Sequence, residues 1–89
     1  MTRKDRIAAA LTEALRPIRL DIVDESDRHA GHAGARAGGE THYRLHIVSS
    51  AFVGKSRVER HRMVNALLAA EFASGLHALA IAAAAPDEP

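Results

Sequence analysis

Cysteine is absent from the 89-residue chain, which excludes disulfides and any metal or iron-sulfur site closed by its own thiolates. Aromatic residues are scarce: Tyr43, Phe52 and Phe72 are the full complement and tryptophan is missing. The core must therefore be built from Leu, Ile, Val and Ala, with no evident platform on which nucleic-acid bases could stack. Charge of one sign is also lacking, since twelve Lys and Arg against eleven Asp and Glu leave a formal +1, so attraction to nucleic acid would have to come from a local patch. No apolar run approaches the roughly 20 residues of a membrane span, and the opening "MTRKDRIAAALTEAL" breaks its apolar positions with charges. These features read as a cytoplasmic protein with no membrane partner. At this length, one small domain over residues 1–89 would bury about 60% of its unfolded surface, leaving little room for a deep cleft.

What the chain does contain is ordered punctuation. Thr2 with Asp5 forms a capping-box pattern, Ile7, Leu11, Ala14 and Leu15 follow at helical spacing, and Pro17 stops the helix. In "IRLDIVDE", Ile18, Leu20 and Ile22 alternate with Arg19, Asp21 and Val23, predicting a strand with one buried face. "THYRLHIVS" places Tyr43, Leu45 and Ile47 on one face and His42, Arg44, His46 and Val48 on the other, which predicts an antiparallel partner. His42 and His46 read there as solvated or sheet-packed residues. Between the strands, 26–40 carries Gly31, Gly34, Gly38 and Gly39 and no hydrophobic period, the pattern of a long, flexible His- and Gly-rich loop.

"SAFVGKS" supplies a short helical turn, and Ser56 with Glu59 repeats the capping-box pattern. A long helix is expected from Arg57, with an inner stripe of Val58, Val64, Leu67, Leu68 and Phe72 and a glycine cap at Gly75. "LHALAIA" alternates again. A helical crossover returns it parallel to the second strand, giving an α+β, three-stranded mixed sheet with helices on one face. Residues 83–89 are expected to fray.

Several stretches together resemble the BolA family over nearly the whole chain: Asp24-Glu25-Ser26, Gly39-Glu40-Thr41-His42, Phe52-x-Gly54, "RHRMV" at 60–64 and "LHALAI" at 76–81. The resemblance implies a class II KH-like α-β-β-α-α-β fold. It also implies two kinds of function. One is pairing with a monothiol glutaredoxin, in a heterodimer that shares a [2Fe-2S] cluster, for cluster trafficking or iron-state signalling. In the family, a histidine opening the last strand and a histidine or cysteine in the loop after the first strand are cluster ligands. Those positions correspond here to His77 and to His29, with His32 three residues on as the alternative. The remaining ligands would come from the partner's cysteine and from glutathione, so the isolated protein is expected to carry no cofactor. Neutral imidazole can replace thiolate on iron and raises the reduction potential.

The alternative kind of function is a DNA-binding transcription regulator of stress and morphology genes. Its implied contacts are Lys55, Arg57, Arg60 and Arg62, gathered around Glu59 at a helix start where phosphate is favoured. The turn Gly54-Lys55-Ser56-Arg57 departs from the two-glycine G-x-x-G loop with which KH domains clamp a backbone. No nucleophile motif, Walker loop or catalytic carboxylate pair is present, and the acidic run Asp24-Glu25-Asp27 reads as a solvated turn rather than as an enzyme's acid-base pair.

Overall fold

A computed structural model of the chain describes residues 1–25 and 41–88. Helix α1 (Arg3–Leu15) begins at Thr2, whose hydroxyl accepts from the Asp5 amide while the Asp5 carboxylate accepts from the Thr2 amide, both at 3.1 Å. That reciprocal pair holds the Asp5 carboxyl below its ordinary range, chiefly through the Thr2 main-chain N–H. The helix ends where Arg16 turns left-handed (φ 44°), immediately before Pro17. Its buried positions Ile7, Leu11 and Leu15 recur every four residues and face a sheet.

The sheet has the order β1-β2-β3. Strand β1 (Arg19–Asp24) runs antiparallel to β2 (His42–Val48), with Ile22 opposite Leu45, and β3 (Ala78–Ala84) runs parallel to β2, with Leu45 opposite Ile81. Both relations agree with the reading of the sequence. Ile18 departs from it: it precedes the strand and lies exposed, because its amide opens the pairing to Val48 before the pleat begins. Ile22, Tyr43, Leu45 and Ile47 close the core from the sheet side and Phe52, Val64, Leu68 and Leu76 from the other, each large side chain contributing about 1.5–3 kcal/mol by burial.

The expected long helix is two helices. After the short 3-10 turn Ser50–Phe52, α2 (Arg57–Leu67) starts under the Ser56–Glu59 capping box and stops at Leu68, and α3 (Ala69–Ala73) follows. No glycine or proline marks the break. Leu68 is drawn into the core in a non-helical conformation (φ −105°, ψ 15°), which rotates the following turn. Phe72 follows the break and is 37% exposed; Val58 and Leu67 lie off the buried face of α2 itself at 57% and 38% exposure, whereas Val64 and Leu68 are buried. Gly75 (φ 125°) closes α3 in a Schellman arrangement, with the Leu76 amide donating to the Glu71 carbonyl at 2.9 Å and Leu76 itself buried. The end of the chain also differs from expectation: β3 continues through Ala84, and Ala85 is buried rather than frayed.

The reoriented turn carries Glu71 to α1. Its carboxylate meets Arg3 Nη1 at 2.8 Å and Arg6 Nε at 3.0 Å, and Arg3 also donates to the Glu71 carbonyl and to Ser74. Arg6 and Arg3 together hold the Glu71 carboxyl below its ordinary 4.5. A carboxyl depressed in this way stabilises the fold above its unfolded pKa and loses that contribution as pH falls through the folded value. Glu71→Gln is therefore expected to cost about 1–3 kcal/mol at pH 7 and to flatten the decline in stability below pH 4.5. Urea denaturation from pH 7 to pH 2.5 checks both.

Candidate functional site

One end of the sheet gathers the start of β2, the start of β3 and the end of β1. The Thr41 carbonyl accepts from the amides of His77 (2.8 Å) and Ala78 (3.1 Å), and the Glu25 amide donates to the His42 carbonyl at 2.7 Å. His77 is thus fixed by its backbone while its side chain stays exposed. Parallel register puts His42 opposite Ala78, and the two imidazoles meet with centroids 5.2 Å apart and planes inclined by 50°. His42 is 8% exposed, and its Nδ1 lies 2.9 Å from the Thr41 hydroxyl. His29 and His32 lie outside the described residues. The chain nevertheless leaves Glu25 and returns at Thr41 on this same edge.

His42 is the functional candidate that strand alternation alone conceals. On its face it resembles the polar positions Arg44 and His46, and only the register of β2 against β3 brings it to His77. Matching Tyr43 with Leu79, the first inward residues of their strands, would have revealed it.

At the other end of β3 the basic residues divide. Lys55, Arg57 and Arg60 line a groove of about 460 Å³ with His46, His61, Glu88 and Ile81–Ala84 of β3; Arg62 is exposed and is not part of that lining. Arg60 is engaged internally: its Nε donates to the Lys55 carbonyl (3.0 Å), its Nη1 to the Ala83 carbonyl (3.1 Å) and to Glu88 (2.7 Å), and its guanidinium sits 6.0 Å from the centre of the Phe52 ring. The Ala85 amide and then Arg60 keep the Glu88 carboxyl below its ordinary range. His61, one helical turn after Arg57, was findable from the i, i+4 period; Glu88 was not, because its place depends on the turn after β3.

The family model of the BolA-like proteins matches residues 11–88. The chain belongs to the BolA-like family. It is 51% identical over 90 residues to a Sinorhizobium protein described as an uncharacterized protein in the cobS 5′ region, covering all of this chain and 97% of that one. The DNA-binding transcriptional regulator BolA of Escherichia coli K12 is 40% identical over 81 residues, 91% of this chain and 73% of that protein. Among solved structures, the BolA domain of SufE1 from Arabidopsis thaliana superposes with a TM-score of 0.90 at 48% identity, covering all of this chain and 98% of that one. The BolA-like fold seen there is the α+β arrangement of three-stranded mixed sheet and helices described above.

The internal hydrogen bonds of Arg60 separate it from its basic neighbours. Arg60→Ala is expected to lower stability by about 1–3 kcal/mol, while Lys55→Ala and Arg57→Ala leave the denaturation midpoint unchanged; urea titrations of the three variants compare them.

Proposed function

We propose that this BolA-like chain is an accessory protein that pairs with a monothiol glutaredoxin and shares a histidine-ligated [2Fe-2S] cluster with it, for cluster trafficking or iron-state signalling. The observation that carries this reading is the imidazole pair of His77 and His42 at the sheet edge from which segment 26–40 departs. The donor set fits a site completed by a partner. Among the described residues, no three His, Asp or Glu side chains converge to hold an ion, and the chain has no cysteine, so this protein supplies imidazole and the partner supplies thiolate.

His77 is the first ligand in this reading. The second is His29, with His32 as the alternative, and His42 stands ready beside His77. Bound to imidazole, the cluster takes a higher reduction potential than with thiolates alone. This chain's own part is to orient the donors. The Thr41 carbonyl fixes the backbone of His77, and the Thr41 hydroxyl at Nδ1 of His42 restrains its ring, as partners of ligating histidines commonly do.

Anaerobic titration into a cluster-loaded monothiol glutaredoxin, followed by visible circular dichroism, tests this. The wild type is expected to reshape the spectrum at one equivalent, and His77→Ala to leave it as it was with the fold intact. A His77→Ala spectrum that changes as the wild type's does sinks the reading. His29→Ala, His32→Ala and His42→Ala then identify the second donor by which of them loses the change.

A second reading, a DNA-binding transcriptional regulator, is supported by the groove that collects Lys55, Arg57 and Arg60 and by the relative of that description in Escherichia coli. Binding through phosphates makes log K fall by about 0.9 per phosphate per log unit of salt. Fluorescence anisotropy of a labelled duplex between 50 and 200 mM salt checks this, with a slope of about −2 to −3 expected for Lys55, Arg57 and Arg60 acting together; affinity indifferent to salt removes the reading.

A further inference from the structure

Immediately after β3 the chain closes a tight turn against the basic groove. The Glu88 amide donates to the Ala85 carbonyl at 3.1 Å, and Glu88 Oε1 accepts from the Ala85 amide at 2.6 Å and from Arg60 Nη1 at 2.7 Å. One carboxylate oxygen thus receives a main-chain N–H and a guanidinium N–H together, the pair of donors by which proteins commonly hold a phosphate oxygen. Arg60 is 12% exposed and pinned to two carbonyls, whereas Glu88 is 42% exposed. The cation is therefore the fixed element of the pair and the anion the replaceable one.

We propose that Glu88 is an internal anion occupying the Arg60 position of the groove, and that the backbone of duplex DNA engages the groove fully by displacing it. This rests on the nucleic-acid reading above and deepens it. Seated, Glu88 cancels one of the three cations Lys55, Arg57 and Arg60; displaced, it exposes all three to phosphate. The displacement is local. It breaks the two hydrogen bonds that Glu88 Oε1 accepts and the one that the Glu88 amide donates to the Ala85 carbonyl, and Glu88 is not one of the side chains of the core.

The test is the salt dependence of duplex binding by the full chain, read by anisotropy for the wild type, Glu88→Gln, Asp87→Asn and the double variant Lys55→Ala/Arg57→Ala. Thermal melts confirm that each is folded. Glu88→Gln is expected to bind about five- to tenfold more tightly at 100 mM salt with the slope of log K against log salt unchanged, because displacement gives the wild-type complex the same phosphate contacts. Asp87→Asn removes the same charge one residue away and should leave the affinity within about twofold of the wild type's. Equal tightening by both variants reduces Glu88 to a general charge effect and overturns the proposal. So does a Glu88→Gln affinity equal to the wild type's while Lys55→Ala/Arg57→Ala weakens binding, an outcome that leaves the nucleic-acid reading standing. If no protein in the set binds DNA in a salt-dependent way, the reading fails and the proposal with it.

Discussion

Parallel pairing of β2 with β3 requires the chain to travel the length of the sheet between them, and α2 and α3 are the means by which it does so. From that register both candidate sites follow. Setting Tyr43 opposite Leu79 aligns the two strand starts, so that one carbonyl, Thr41, holds the backbone of His77 and the imidazoles of His42 and His77 come together. The same crossover delivers the start of α2 to the far end of β3, where Arg60 reaches the Ala83 carbonyl. Seven strand residues separate the two ends, about 20 Å at the usual rise per residue. A partner bound at the histidines and an anion in the groove therefore need not contend for the same surface.

The ion cluster between α1 and α3 shows how the broken helix is held. Arg3 shares the inward face of α1 with Ile7, Leu11 and Leu15, and as a charged residue at that depth it requires an anion. Glu71 provides it from α3, and Ser74 adds a hydroxyl and a carbonyl. Because α3 is only five residues long and has no side-chain cap at its start, its position is better explained by this anchoring and by the glycine-capped end at Gly75 than by intrinsic helical preference.

Most of the fold was legible because local chemistry and global arrangement agree. Thr2 with Asp5 and Ser56 with Glu59 mark helix starts by a mechanism that operates in the first turn alone, and alternation in "YRLHI" fixes which face of β2 is buried. The helical stripe failed at Phe72 because a 3.6-residue period was extended through Leu68, where burial outweighs helix continuity, and at Val58 and Leu67 because neither shares the face of α2 that buries Val64. Lys55 and Arg57 were recognisable as surface cations, but nothing local distinguishes them from Arg60, whose partners Ala83 and Glu88 lie more than 20 residues away. His77 could be picked out only through family resemblance. Its neighbour His42 needed the strand register, which single-strand alternation does not contain.

Ser49 is fully buried, and its few atoms join three parts of the chain. The hydroxyl donates to the Leu15 carbonyl at 2.6 Å and accepts from the Ala51 amide, while its own amide donates to Ala84. The end of α1, the turn leading towards Phe52 and the last residue of β3 are thus fastened at a single point. None of them can fray alone without stranding a buried polar group. Opening at this end of the molecule is accordingly concerted, so that the amides of Ala51 and Ser49 share one opening free energy in hydrogen exchange rather than two separate ones.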